Sequence, residues 1–247
     1  MVVTSERRGY PIYILLDVSA SMRRTEPPHT APLTAFKAMI PDLIMSLSES
    51  RSLAKAAWIS VIAFSDAAEV LCPMSSLAGP VSVRAPRDGG QTDYLAALRF
   101  LHERMAPDRV AIQAHGSGQN WRIDVARPLV FFITDGAPFA QDRYQRPDEW
   151  MPYRDLIVDG PRGARMAAIG LAGAHPRTLW SVATGEADGR RNAFIALPGT
   201  DPAGRRRSAG DSLAASVINV IERSIKLSVQ AGEMVIEVPA GMRRVDG

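Results

Sequence analysis

Short apolar runs that end in polar residues constrain this chain more than any other feature. Residues 12–16 and 129–133 are nearly continuous runs of large apolar side chains, and Asp17 and Asp135 lie just beyond them. Runs of this kind are typical of central parallel strands that are buried on both faces. Here they alternate with segments of helical periodicity. We therefore predict an α/β fold, a doubly wound and mostly parallel central sheet with helices on both faces.

The rest of the pattern supplies further elements. Helices are predicted where apolar residues recur every three or four positions, and strands where short apolar runs lie between turn signals. The predicted strands are residues 12–16, 58–64, 68–72, 129–133, 165–171 and 192–197. The predicted helices are residues 33–47 with a bend at Pro41, a helix opening after residues 89–92 with Thr92 as its N-cap, residues 175–183 and residues 211–227. Residues 113–122 and 199–210 are predicted loops, and residues 234–238 either form an edge strand or trail.

Neither a repeat nor a long linker divides the chain. We expect one domain at residues 10–228, preceded by a lead-in at residues 1–9 and followed by an extension at residues 229–247. The 29 basic and 26 acidic residues leave a net charge of +3. This charge is too small to indicate a nucleic-acid partner.

Compartment is inferred from cysteine use and apolar segments. Cys72 is the only cysteine, which rules out an internal disulfide and favours a reducing compartment. The first ten residues lack the apolar segment of a secretory signal. The longest apolar runs fall far short of the roughly 20 residues that span a bilayer. We expect a cytoplasmic protein without a membrane partner.

Polar side chains follow the predicted strands at the edge where ligands bind in doubly wound sheets. Asp17, Ser19 and Ser21 come after the first strand, Thr92 precedes a helix, and Asp135 follows a central strand. In an extended loop, the alternation in Asp-x-Ser-x-Ser would point its three side chains to one side. Carboxylate and hydroxyl oxygens are the donors that a hard cation prefers. The sequence therefore predicts a Mg²⁺ site, with Mn²⁺ or Ca²⁺ as alternatives.

These motifs resemble those of a known family. Residues 17–22, Asp-Val-Ser-Ala-Ser-Met, look like the first motif of the metal-ion-dependent adhesion site of von Willebrand factor A (vWA) domains. Thr92 after Gly89 and Gly90 resembles the second motif, with Gln91 as an added residue, and residues 134–136 resemble the third. The likeness covers roughly residues 10–228 and is greatest to the bacterial tellurium-resistance-type branch, through residues 128–131 and 134–138.

The resemblance implies specific roles. Ser19, Ser21 and Thr92 would contact the metal directly, and Asp17 and Asp135 would act largely through waters. An aspartate or glutamate of a protein partner would fill the remaining position on the ion. By the same resemblance, the partner would be a protein kinase or phosphatase of a bacterial stress-response or signalling system. The implied function is a non-enzymatic adaptor.

Other functions are weaker on the residues themselves. A phosphoryl-transfer hydrolase would need a second acid near its nucleophile, yet no carboxylate lies between Asp17 and Glu26. The glycine-rich nucleotide motifs and the G-x-S-x-G elbow of serine hydrolases do not occur. A structural subunit whose metal only stabilises loops stays open as an alternative.

Several other polar and aromatic residues allow two interpretations. We predict that Asp66 and Asp93 are turn formers or helix caps rather than metal ligands. Trp150 and Tyr153 could form a partner surface or the packing face of a covering helix. The histidines show no pairing that would indicate catalysis: His29, His102, His115 and His175.

Overall fold

The fold is an eight-stranded sheet with helices on both faces, as predicted. The computed structural model describes residues 6–24, 31–117, 121–171, 173–185, 189–197, 209–233, 235–236 and 241–246. The strands are β1 (Glu6–Asp17), β2 (Ala57–Phe64), β3 (Ala68–Ser76), β4 (Arg122–Val125), β5 (Leu129–Thr134), β6 (Phe139–Ala140), β7 (Arg143–Tyr144), β8 (Arg165–Gly170), β9 (Ala193–Ala196) and β10 (Met242–Arg244). The helices are α1 (Pro32–Glu49), α2 (Arg51–Ala56), α3 (Tyr94–Ser117), α4 (Pro147–Val158), α5 (Pro176–Val182) and α6 (Ala209–Ala231).

The main sheet is parallel at its centre and antiparallel at its edges. Its order is β10-β9-β8-β5-β1-β2-β3, and β4 pairs with the first part of β1. The pairs β1–β2, β1–β5, β5–β8 and β8–β9 are parallel. The edge strands β3 and β10 run antiparallel to their neighbours. The remaining strands, β6 and β7, form a separate two-stranded hairpin.

Strand β1 is buried on both faces because its side chains alternate between two hydrophobic cores. Ile12, Ile14 and Leu16 point into the core that α1, α2 and α6 cover. Tyr13 and Leu15 point into the core that α3, α4 and α5 cover. The continuous apolar run thus has the physical cause inferred from the sequence, since neither face of the strand meets water.

The carboxyl ends of the two central strands lie side by side. In the parallel register, Leu16 of β1 is paired with Ile133 of β5, and Asp17 is paired with Phe64 of β2. The residues that follow β1 and β5 therefore emerge at one edge of the sheet. This register brings together polar residues that are more than a hundred positions apart in the chain.

Most predicted elements are confirmed, but the loop at residues 113–122 is partly wrong. Helix α3 continues to Ser117, residues 118–120 lie outside the described part, and Arg122 already belongs to β4. Gly116 explains the added turn, because a Cβ at this position would lie 2.6 Å from Ile123 Cγ1. The end of α3 therefore packs closely against β4.

The sequence allows residues 234–238 either to form an edge strand or to trail, and their described part forms no strand. Of residues 234–238, only Val235 and Ile236 are described, and neither is in a strand. The Ser228 hydroxyl holds Val235 instead, accepting a hydrogen bond from its amide at 2.8 Å. Met242–Arg244 forms the edge strand β10 on β9. Of the predicted loop 199–210, residues 199–208 lie outside the described part and the last two open α6.

The expected domain boundaries at residues 10 and 228 stay a prediction. The main sheet reaches past both, through Glu6–Gly9 paired with β4 and through β10. Among the described helices, none is long and apolar enough to cross a membrane.

Helix α4 resolves the two interpretations of Trp150 and Tyr153. Trp150 is almost fully buried, and its ring lies 5.8 Å from that of Tyr94. Tyr153 is half-buried against the same core. Both aromatic side chains therefore belong to the packing face of a covering helix.

The N-cap of α3 is Asp93, so the prediction of Thr92 as the cap is wrong. Asp93 Oδ1 accepts a hydrogen bond from the Ala96 amide at 2.8 Å, the pattern of a capping side chain. Gln145 completes the cap from another loop, because its Oε1 accepts from the Tyr94 amide at 2.9 Å and its Nε2 donates to Asp93 at 2.7 Å. Thr92 is instead paired through its backbone with Phe139.

Removing this cap should destabilise the fold measurably. We expect Asp93→Ala to lower the free energy of unfolding by about 1 kcal/mol, because the first turn of α3 and the Gln145 amide both lose an acceptor. Urea denaturation measures the change. Asp93→Asn retains an acceptor and should stay close to wild type, so equal losses in the two variants would contradict the capping role.

Candidate metal centre

Three loops meet at the carboxyl edge of the sheet. Residues 17–21 follow β1, residues 89–92 precede α3, and residues 134–136 follow β5. All five side chains predicted for the metal site lie on these loops: Asp17, Ser19, Ser21, Thr92 and Asp135. Hydrogen bonds connect four of them, directly or through Thr134, and the fifth lies against Gly136.

Asp17 is the fully buried carboxylate of the cluster. Its Oδ1 accepts the Ser19 amide at 2.9 Å and its Oδ2 accepts the Thr134 hydroxyl at 2.6 Å. Burial raises the pKa of Asp17 to about 7, although the Thr134 and Ser19 hydrogen bonds oppose the shift. Among the described residues, no basic side chain forms an ion pair with it. A buried carboxylate without a cationic partner is a good binding group for a cation.

Ser19, Ser21 and Asp135 form a chain of short hydrogen bonds. The Ser21 hydroxyl donates to Asp135 Oδ1 at 2.7 Å, and the Ser19 and Ser21 hydroxyls are 3.0 Å apart. Burial raises the pKa of Asp135, while the Ser21 hydrogen bond and the positive charge of Arg24 lower it. The oxygen atoms of the first and third loops are therefore within a few ångströms of one another.

The first loop reaches this geometry without being extended. Ala20 is helical, with φ −60° and ψ −32°, and residues 21–23 form a short 3-10 turn. Ser19 and Ser21 therefore converge because the loop turns, whereas the alternation argument assumed a strand-like loop.

Thr92 is positioned by backbone bonds to the β6–β7 hairpin. Its amide donates to the Phe139 carbonyl at 2.9 Å, and the Phe139 amide donates back at 3.0 Å. Its side chain lies against Gly136, where an added Cβ would be only 3.2 Å from Thr92 Oγ1. Gly136 thus allows the Thr92 hydroxyl to approach the loop that carries Asp135.

The second loop is fixed by residues outside the predicted set. Asp66 accepts the Gly90 amide at 2.7 Å and the Gln91 amide at 3.2 Å, which confirms its predicted role as a turn former. Gly89 has no room for a side chain, since a Cβ would lie 1.8 Å from Ser65 Oγ. Arg23 then links the first loop to the second, through a hydrogen bond to the Gly89 carbonyl.

Thr134 and Tyr94 are site residues that sequence reasoning missed. Besides its bond to Asp17, the Thr134 hydroxyl accepts the Gly136 amide at 3.1 Å. The Tyr94 hydroxyl donates to the Gly136 carbonyl at 3.2 Å, and burial raises the pKa of that phenol. The position of Thr134 within the third motif was a signal for its role, but no spacing in the sequence pointed to Tyr94.

The donor set fits a hard divalent cation. It consists of two carboxylates and three hydroxyls, and oxygen donors of this kind suit Mg²⁺ better than soft metals. Within the described ranges, histidine, cysteine and acidic side chains nowhere gather in groups of three. The described histidines stay apart, with His102 beside Tyr153 and His115 beside Trp58. His29 lies outside the described residues.

The fold and the loop cluster define an α/β domain with oxygen donors at the carboxyl edge of its sheet. A family model of the von Willebrand factor type A domain matches residues 12–137, which contain all three loops. The chain belongs to this family. Among curated proteins, none matches the chain.

Solved structures share the fold at low sequence identity. Proximal thread matrix protein 1 from the mussel byssus is 17% identical with a TM-score of 0.57, over 98% of this chain and 49% of that one. A form of the same protein with a zinc-occupied metal-ion-dependent adhesion motif is 16% identical with a TM-score of 0.55, over 88% and 46%. The pilus adhesin SpaC from Lactobacillus rhamnosus GG is 12% identical with a TM-score of 0.59, over 91% and 32%. This chain spans at most half the length of these proteins, and the likeness concerns the fold.

Thr134 offers a test of the site's internal support. We expect Thr134→Val to lower the free energy of unfolding by about 1–3 kcal/mol, because the buried Asp17 carboxylate and the Gly136 amide each lose a hydrogen-bond partner. Thr134→Ser keeps the hydroxyl and should recover most of the loss. Chemical denaturation of the three proteins measures both changes, and a Val variant as stable as wild type beside an unstable Ser variant would argue for methyl packing instead.

Proposed function

We propose that this domain is a non-enzymatic, Mg²⁺-dependent adaptor that docks an acidic side chain of a protein partner at the loop cluster. The observation that supports this most is that the buried Asp17 carboxylate, which forms no ion pair among the described residues, lies in one hydrogen-bonded cluster with the Ser19 and Ser21 hydroxyls. Binding, rather than catalysis, is the role we assign to these residues.

The five residues divide into two groups by charge. Ser19, Ser21 and Thr92 would hold the cation with neutral oxygens, and Asp17 and Asp135 would act largely through waters. With neutral donors in direct contact, a bound Mg²⁺ supplies an undiminished positive charge and an exchangeable position. A carboxylate is the natural group to complete such a shell. The likeness to a mussel protein with a zinc-occupied adhesion motif supports a divalent cation here.

The β6–β7 hairpin would form one wall of the docking surface. It is joined to Thr92 through Phe139, and its Tyr144 side chain is 70% exposed. Arg143 is held by a bidentate pair with Glu149, at 2.9 Å and 2.5 Å. An aromatic ring and an ordered rim are features of protein interaction surfaces.

The biological setting is inferred from the motif resemblance alone. The tellurium-resistance-type likeness of residues 128–131 and 134–138 supports a bacterial stress-response or signalling complex. A protein kinase or phosphatase would then supply the acidic side chain. The single buried thiol, Cys72, agrees with a cytoplasmic setting.

Metal binding should depend on the paired hydroxyls. In a calorimetric titration with Mg²⁺, we expect saturable binding to wild type and none to Ser19→Ala/Ser21→Ala at millimolar ion, because two of the neutral donors are gone. Ser50→Ala/Ser52→Ala is the matched control, since it removes an exposed hydroxyl pair 3.1 Å apart on the far side of α1. Equal Mg²⁺ binding by both double variants would rule out the site.

The exchangeable position can be tested with acetate, a small carboxylate. With Mn²⁺ as a paramagnetic probe, acetate should lower the water-proton relaxation rate of the protein-bound ion, because the carboxylate displaces an exchangeable water. Acetamide is the neutral control of the same shape and should have no such effect. Free Mn²⁺ with acetate gives the background.

The same experiment separates the adaptor from a structural subunit. A saturating ion at one hundred times its Kd stabilises the fold by about 2.7 kcal/mol, and EDTA removes this under either reading. If EDTA lowers the melting temperature while acetate leaves the relaxation rate unchanged, the ion only stabilises the loops.

A further inference from the structure

A second cleft lies at the opposite end of β1 from the metal centre. Arg7 and Asp17 are ten residues apart on this strand, so the two ends are separated by about 33 Å. The cleft has a volume of about 290 Å³. It lies between the start of β1, the junction of α2 with β2, and the end of α3. Its main lining side chains are Arg7, Lys55, Trp58, His115, Trp121 and Ile123.

The floor of the cleft is aromatic and apolar. Trp58 is nearly buried and meets the His115 ring edge-on, with centroids 5.1 Å apart. Trp121 is half-buried, and the Arg7 guanidinium carbon lies over its ring at 2.9 Å from the centroid. Together with Ile123 these rings offer a surface that fits another planar ring.

The rim of the cleft carries three cations. Arg7, Arg8 and Lys55 line it, and none of them forms an ion pair with any residue that the structure describes. Asp124 is paired in register with Arg8, so the positive charge of the rim rests mainly on Arg7 and Lys55. Because the Arg7 guanidinium lies over Trp121, its position at the cleft is restricted before a ligand binds. Such an arrangement is complementary to an anion.

We propose that this cleft binds a nucleotide-like anion, with the base against the tryptophans and the phosphate between Arg7 and Lys55. The volume lies near the lower limit of about 300 Å³ for ligand pockets, which suits a mononucleotide rather than a larger cofactor. The apolar floor accounts for a ring, and the cations of the rim account for a phosphate. A nucleotide can come from free solution or from a single-stranded nucleic acid, and the experiment distinguishes the two sources.

The binding test uses calorimetry on the whole chain with EDTA present, which keeps it independent of the metal centre. AMP should bind saturably. Adenosine lacks the phosphate and ribose 5-phosphate lacks the base, so each should bind at least tenfold more weakly than AMP. Absence of saturable binding at millimolar AMP, or equal binding of ribose 5-phosphate, would overturn the proposal. If a deoxythymidine hexamer binds more than a hundredfold more tightly than AMP, the ligand is a nucleic acid strand instead.

Variants locate the binding to this cleft. Arg7→Gln and Lys55→Gln should each raise the Kd for AMP by about tenfold, the effect of losing one hydrogen bond to a charged group. Arg99→Gln removes an exposed arginine from α3 and should leave the Kd unchanged. The Ser19→Ala/Ser21→Ala protein should also bind AMP normally. Binding that is insensitive to Arg7 and Lys55 would place AMP elsewhere.

Discussion

The burial of β1 on both faces is the constraint on which the rest of the structure depends. This strand contributes alternate side chains to two cores and lies between β2 and β5 in a parallel register. A slip by one residue would exchange its two faces and displace every residue that follows it. Because both faces are apolar, the register is held by the pairing with two neighbouring strands and by the side chains that each core accommodates. That pairing therefore fixes the positions of the polar residues at the carboxyl edge of the sheet.

The candidate metal centre carries little charge for a cation site, and this has a physical consequence. Three of the five predicted donors are neutral hydroxyls, while Asp17 is held below the surface by two hydrogen bonds. Neutral donors leave the field of a bound cation open toward solvent. Neighbouring side chains also hold the loops in place. Thr134 accepts the Gly136 amide, Asp66 accepts the Gly90 amide, and Gln145 accepts the Tyr94 amide at the start of α3. Such bracing keeps the oxygen atoms of the cluster close together.

The sequence was sufficient for the fold and for the proximity of the site residues. Continuous apolar runs indicate buried parallel strands, and the residues that follow such strands share one edge of the sheet. The proximity of Asp17 and Asp135 could therefore be predicted from the sequence. The contacts that fix these loops could not be foreseen. Gln145 caps a helix that begins fifty-one residues earlier, and Thr92 bonds to Phe139, because both contacts arise from tertiary packing that leaves no local period. The extension of α3 to Ser117 likewise depends on contacts with β4.

Thr92 is attached to the hairpin through main-chain atoms only. Side-chain replacements in the hairpin and changes in its length should therefore have different effects on Thr92. The side chain at position 139 can be replaced without altering the two amide–carbonyl bonds. The turn at Gln141 and Asp142, where both residues have positive φ, has a second attachment, because the Gln141 amide donates to Gln91 Oε1 at 2.7 Å. Deletions between Gly136 and Phe139, in contrast, would pull Thr92 away from Asp135. Related domains can therefore vary the side chains of the hairpin while the position of Thr92 beside Gly136 is retained.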